Sequence, residues 1–363
     1  MRVVDCDDDV ISLIHQAAAG LLDEHHALER VRTPSPSLWP DLASQGLPLL
    51  MTPEGDGGAA VGARGAVMIA RLFGSRLAPE PIVDNAIVPG GLGALLGAAP
   101  LAARIVDMLA HRSETMALAW QEADRQIDPW PISSSLASGR LKARKIACSK
   151  ANSYLVTANT DGGAGVVWVR RGQPGVNVLD EPDVGGGSLS TVEIEGTVEA
   201  SDLFVGPEVA AAVEKAVSLG TLCTAAQTLG VCMTAADMTL DYLRTRQQFG
   251  KPIGAFQALQ HRAVDMATEL ALCQAAVDRA AEAFDANSAA DETRASISAA
   301  KARSASVAAL VAREVVQMHG AIGFTEESDV GLFVRACIGL AERYGSARLH
   351  RRRFLELESA VNG

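Results

Sequence analysis

Beyond Pro207 the chain is rich in alanine, with apolar residues recurring at helical spacing, and no proline follows Pro252. A stretch so built has one economical solution, long helices packed against one another, and its start and stop signals predict helices over roughly 208–245, 257–286, 290–319 and 329–345. Upstream the pattern differs. Residues to about His111 are also Ala- and Leu-rich, but Pro34, Pro36, Pro53, Pro79, Pro81 and Pro89 cut them into shorter helix-length pieces. Between Met116 and Gly206, short β-rich runs (Asn152–Ala158, Val166–Arg170, Leu189–Ile194) alternate with Gly-, Pro- and Asp-bearing turns, Gly185–Gly187 reading as a loop tip. The order is helical, β, helical. The fold class expected is α+β, mainly α: an N-terminal helical bundle (1–115), a middle antiparallel β domain (116–206) and a C-terminal four-helix bundle (207–363).

Composition removes several function classes. With 363 residues, 48% hydrophobic and 21% charged, the chain has the make-up of a folded protein with real cores. Lys plus Arg number 32 against 43 Asp plus Glu, a net charge of −11, the wrong sign for a general nucleic-acid or anionic-membrane binder. The uncharged stretches Ala86–Ala103 and Ser218–Ala236 carry glycines and a proline, or threonines and a glutamine, so no membrane span is expected. The start, MRVVDCDDDVISLIHQ, is acidic where a secretory leader is basic, and a cytoplasmic location is expected. Six cysteines show no CxxC spacing and read as reduced, packed thiols, and the histidines show no metal-ligand spacing, so no metal is expected. Gly55-Asp56-Gly57 and Gly91-Leu92-Gly93 each begin a GxGxxG but lack its third glycine and its βα setting, and read as turns.

Three segments carry chemistry. Arg244-Thr245-Arg246-Gln247-Gln248-Phe249-Gly250-Lys251-Pro252-Ile253, followed by Phe256-Gln257-Ala258-Leu259-Gln260, resembles the best-known signature of the acyl-CoA dehydrogenases. Gln317-Met318-His319-Gly320-Ala321-Ile322-Gly323-Phe324-Thr325 resembles that family's segment near the C-terminus, and LASQGLPLLMTPEGDGG, ending at Gly58, resembles its N-terminal stretch. The matches fall in the family's order over essentially the whole chain. The resemblance implies FAD as cofactor and α,β-desaturation of acyl-CoA thioesters, with an electron-transferring flavoprotein as electron acceptor. It implies a cofactor cradle of Arg246, Phe249, Gln257, Gln317, His319, Gly320 and Gly323, with Ser149 on the β domain. Arg246 has the guanidinium fork a pyrophosphate needs and Phe249 the wall an adenine needs. In the family these residues serve a neighbouring subunit's flavin, which implies a homo- or hetero-tetramer.

The residues also depart from the family. Its base is a glutamate, and the matching run Glu342-Arg343-Tyr344-Gly345-Ser346 has Tyr344 at that place, while Gly220 occupies the alternative glutamate position. Its glycine-bearing flavin loop corresponds to Gln121–Asp128, which has no glycine, and Ala147 replaces the tryptophan of its KxWITN strand. The half of the site that serves a neighbour is kept and the chain's own half is eroded. That pattern resembles the base-lacking subunits of actinobacterial α2β2 acyl-CoA dehydrogenases acting on steroid side-chain thioesters. Such a chain supplies the adenosine and pyrophosphate half-site to a base-bearing partner. The alternatives are a self-sufficient homotetramer with a base relocated to Glu342, and a binding or scaffold protein without redox chemistry; Tyr344 is a poor base with an ordinary pKa near ~10 but can hydrogen-bond or line the pocket. The basic run Arg348, His350, Arg351, Arg352 and Arg353 reads as a CoA-phosphate attractor, a helix C-terminus stabilised by cations or a subunit contact.

Overall fold

A computed structural model describes residues 8–362 apart from residues 26, 34, 112, 326 and 327, so Cys6 and Pro34 lie outside the described residues. Six helices come first: α1 (Asp8–Glu24), α2 (Ala27–Arg32), α3 (Trp39–Ser44), α4 (Gly62–Ser75), α5 (Val88–Leu96) and α6 (Pro100–Ala110). Eight strands follow: β1 (Met116–Ala119), β2 (Ser135–Ala137), β3 (Arg140–Ser149), β4 (Ser153–Thr160), β5 (Gly163–Arg170), β6 (Val176–Pro182), β7 (Ser188–Thr197) and β8 (Leu203–Val205). The C-terminal part holds α7 (Pro207–Thr245), α8 (Gln257–Asn287), α9 (Asp291–His319), α10 (Val330–Glu342) and α11 (Ala347–Asn362), with β9 (Gln247–Gln248) and β10 (Lys251–Pro252) forming a small hairpin after α7. The helical, β, helical order read from the residues is the order observed.

Helix α7 organises the molecule. It is long and apolar enough to span a membrane, yet 89% of its most apolar window is buried inside the protein. It tolerates buried hydroxyls because Thr221, Thr228 and Thr239 donate to the carbonyls of Val217, Thr224 and Ala235 one turn back. Helix α4 crosses it at glycine: a Cβ on Gly74 would lie 2.0 Å from the Gln227 carbonyl oxygen, and one on Gly230 2.0 Å from that of Arg71. Only hydrogen at both positions lets the two backbones meet.

Four expectations need correction. The sheet is mixed rather than antiparallel: its order is β6-β7-β3-β2-β4-β5-β8, and β1 and β2 both pair with β4 in parallel. Gly91 and Gly93 are not a turn but lie within α5, where a Cβ on Gly91 would strike Leu219 of α7 at 2.6 Å. Pro89 does not break the chain either: it is the second residue of α5, which runs on directly from a π-helical turn (Val83–Ile87). The last predicted helix stops at Glu342, and the arginine run belongs to the separate α11. The five described cysteines are free and buried, as expected.

Candidate functional site

The site is built where α10 ends. Tyr344 has φ +56° and Gly345 φ +106°, reversing the chain between α10 and α11. Gly345 is obligatory, since a Cβ would sit 2.4 Å from Ile127. Two buried basic side chains hold the turn. Lys301 donates from Nζ to the carbonyls of Leu340 (2.9 Å) and Ala341 (3.1 Å), orphan acceptors of the helix end, and His350 Nε2 donates to the Tyr344 carbonyl at 2.8 Å. Burial pushes Lys301 down to about 7 and His350 down to about 4.

The Tyr344 ring is buried beside Trp120, ring centroids 5.8 Å apart, and against the backbone of α7 at Gly220, where a Cβ would lie 2.7 Å from the ring. Positions 344 and 220, the two glutamate positions named by the resemblance, are therefore neighbours in space. One residue invisible to sequence reading holds the Tyr344 hydroxyl. Asp84 stands on a π-helical turn (Val83–Ile87), a feature often found at functional sites, and the turn is pinned to the end of β3 by Asn85 Nδ2 donating to the Lys150 carbonyl. The Tyr344 hydroxyl donates to Asp84 Oδ1 at 2.7 Å, while Ser149 Oγ (2.8 Å) and Arg343 Nη2 (2.7 Å) donate to Oδ2. Arg343 also donates to the Ala147 carbonyl. Burial, and then the Asp84 carboxylate, push the Tyr344 hydroxyl well above its ordinary range, so it stays a neutral donor. The other carboxylate candidate, Glu342, is exposed.

The loop matching the family's flavin loop is also satisfied from within. Glu122 accepts from the backbone N–H and hydroxyl of both Ser133 and Ser134, and from Lys145 Nζ at 2.7 Å. Lys145 is wholly buried and reaches Thr157 as well. Burial alone would raise the Glu122 pKa, but the bonds from Lys145, Ser134 and Ser133 pull it down to about 2. Beside this network a cleft of about 690 Å³ is bordered by Phe73, Asp84, Ser149, Gln227, Arg343 and the tip of the β6–β7 hairpin.

A second group lies on the surface. Phe249 and Gly250, both at positive φ, form the two-residue tip of the β9–β10 hairpin, and Phe249 is 90% exposed, edge-on to Phe256 at 6.1 Å. Arg246 and Gln257 flank this hairpin and are exposed, and Gln317 is exposed near the end of α9. Among the described residues, the Arg246 guanidinium has no hydrogen-bond or ion-pair partner. His319 does not join the exposed set. It is 7% exposed, bonds the Val315 carbonyl through Nδ1 and stacks on Tyr242 of α7 at 4.6 Å. The stack brings the end of α7 beside the turn at Gly320–Phe324, where Gly320 has φ +64° and Gly323 packs with its Cα hydrogen toward His319.

Residues 210–355 match the model of the acyl-CoA dehydrogenase C-terminal domain. Acyl-CoA dehydrogenase FadE27 of Mycobacterium tuberculosis is 30% identical over 312 residues, 81% of this chain and 80% of that one. Acyl-CoA dehydrogenase IpdE2 of the same organism is 28% identical over 96% of both chains. A chain of the ChsE4-ChsE5 complex from Mycobacterium tuberculosis superposes with a TM-score of 0.82 at 25% identity over 98% of both chains. The fold is that of an FAD-dependent oxidoreductase. The chain is a member of the acyl-CoA dehydrogenase family.

The two groups differ in their fit to FAD. The surface group offers an unpaired guanidinium, exposed amides and an uncovered phenyl ring, the chemistry a pyrophosphate and an adenine require. The interior group does not fit the isoalloxazine, because the hydroxyls of Ser149, Ser133 and Ser134 are spent on Asp84 and Glu122 and the space beside Gly220 is filled by Tyr344.

Proposed function

We propose that this chain is the base-lacking subunit of a heteromeric acyl-CoA dehydrogenase, lending its α7–α8 hairpin and the end of α9 to the flavin of a glutamate-bearing partner. The observation that carries this reading is Phe249, 90% exposed on a strained hairpin tip beside an Arg246 whose guanidinium has no partner among the described residues. Covering a phenyl ring of that exposure is worth about 1.5–3 kcal/mol, a gain that an adenine or a second subunit realises and water does not. When bound, the flavin supplies the hydride acceptor for desaturation of the thioester. Arg246 and Gln317 hold the pyrophosphate side, Phe249 walls the adenine, and the partner supplies both the base and the ring pocket.

Association has its own support. Val264 (62% exposed) and Leu272 (49%) lie on one stripe of α8 with the exposed Ala267, Ala271 and Ala275, an uncovered apolar face at helical spacing. The resemblance to actinobacterial α2β2 enzymes favours a bulky, steroid-type acyl-CoA as substrate, with an electron-transferring flavoprotein reoxidising the complex. The test is the visible spectrum of the chain purified alone and after coexpression with a glutamate-bearing paralogue, followed by addition of acyl-CoA. A colourless chain that becomes yellow and bleachable with its partner supports the proposal; a yellow chain bleached on its own contradicts it.

A further inference from the structure

We infer that Asp84, Tyr344, Arg343 and Ser149 form a polar plug that closes this chain's own redox cavity, so that the chain is unable to house an isoalloxazine ring even when flavin is plentiful. This deepens the partner-subunit reading and rests on it for the identity of the cavity. A desaturase must hold its substrate between the base and the flavin. Here position 344, on the base side, and Ser149, on the flavin-strand side, hydrogen-bond to the two oxygens of one carboxylate, at 2.7 and 2.8 Å. The gap between these two positions is spanned by a single carboxylate, which leaves no room there for a ring system; the cleft of about 690 Å³ lies to one side of it, with Asp84, Ser149 and Arg343 forming part of its wall.

The plug is balanced and anchored. The Asp84 charge is matched by Arg343 at 2.7 Å, with side chains 18% and 13% exposed, so no isolated charge is buried. The Arg343 guanidinium lies across the closure, tying the Ala147 carbonyl to Asp84. Gly220 admits the tyrosine ring, the π-helical turn presents Asp84, and Lys301 and His350 fix the turn that carries Arg343 and Tyr344. These supports come from four different helices and turns.

The experiment uses the isolated chain and lumiflavin, an isoalloxazine without the adenosine half, so that the surface group around Arg246 is not read. Two variants open the cavity: Tyr344→Ala, which removes the ring, and Asp84→Ala/Arg343→Ala, which removes both charges together. Each is checked for fold by circular dichroism, and Tyr344→Phe serves as the closed control. A second readout needs no ligand: Cys223, one turn along α7 from Gly220 and buried in the same core as Tyr344, is labelled with iodoacetamide and followed by mass spectrometry. The expected result is no lumiflavin binding by the wild type or Tyr344→Phe, binding by a folded opened variant, and Cys223 labelling faster in the Tyr344→Ala variant by about tenfold or more. Lumiflavin binding by the wild type overturns the plug while leaving the partner-subunit reading to the coexpression test. Folded opened variants that neither bind lumiflavin nor expose Cys223 overturn it as well. If neither opened variant folds, the wild-type chain decides: lumiflavin binding overturns the plug, and no binding supports it.

Discussion

Tyr344 owes its place to a residue far away in the sequence: its hydroxyl reaches Asp84 across a separation of 260 residues, and its ring rests on the bare backbone of Gly220. Gly220→Ala forces a methyl group to within 2.7 Å of a buried ring, an overpacking expected to cost about 1–3 kcal/mol in urea unfolding, and Tyr344→Ala introduced alongside it recovers part of the loss. Glu122 makes a prediction in pH. Its folded pKa lies near about 2, below the ordinary 4.5, so the unfolded chain binds the proton first, and the stability Glu122 contributes is full above about pH 4.5 and is lost as pH falls toward 2. Unfolding free energies of Glu122→Gln measured across that window should show a shallower acid slope than the wild type. At this scale the sequence was only half legible. Tyr344, Gly220 and Ala147 could be marked as departures because family motifs pin their positions, whereas Asp84 precedes an uncharged stretch with no motif around it, and only the fold brings it to Tyr344.

Elements that rest on local pattern were readable, and those that rest on distant pairing were not. The long C-terminal helices follow from alanine, helical spacing and the absence of proline, and α7, α8 and α9 lie within a residue or so of the expected bounds. The parallel pairing of β1 and β2 with β4 depends on register between strands separated in sequence, which alternation within a strand does not encode. The end of α10 was misplaced because a left-handed tyrosine, held by Asp84 and His350, stops the helix where composition would continue it. The α4–α7 crossing carries the sharpest prediction here. Gly230→Ala places a Cβ 2.0 Å from a backbone oxygen that has no rotamer to relieve it, so the helices must part; a loss of about 3 kcal/mol and a lowered thermal midpoint are expected by calorimetry. Exposed alanine substitutions elsewhere on these helices should stay within about 0.5 kcal/mol.

For the whole molecule the division of labour is between charged interior groups that pair with one another and a surface group that faces outward. Asp84, Glu122, Lys145 and Arg343 find partners within the chain, while Arg246, Phe249 and the α8 stripe face outward. Val264→Glu/Leu272→Glu places two carboxylates on the exposed stripe and should leave the fold intact by circular dichroism while shifting light-scattering mass toward the single chain. The central claim, that this chain completes another subunit's flavin site, is tested most directly by flavin content in the coexpressed complex with and without Arg246→Ala in this chain alone. Loss of one charge-assisted contact to the pyrophosphate should weaken flavin retention by about tenfold or more with assembly unchanged. Retention equal to that of the wild-type complex would contradict the account.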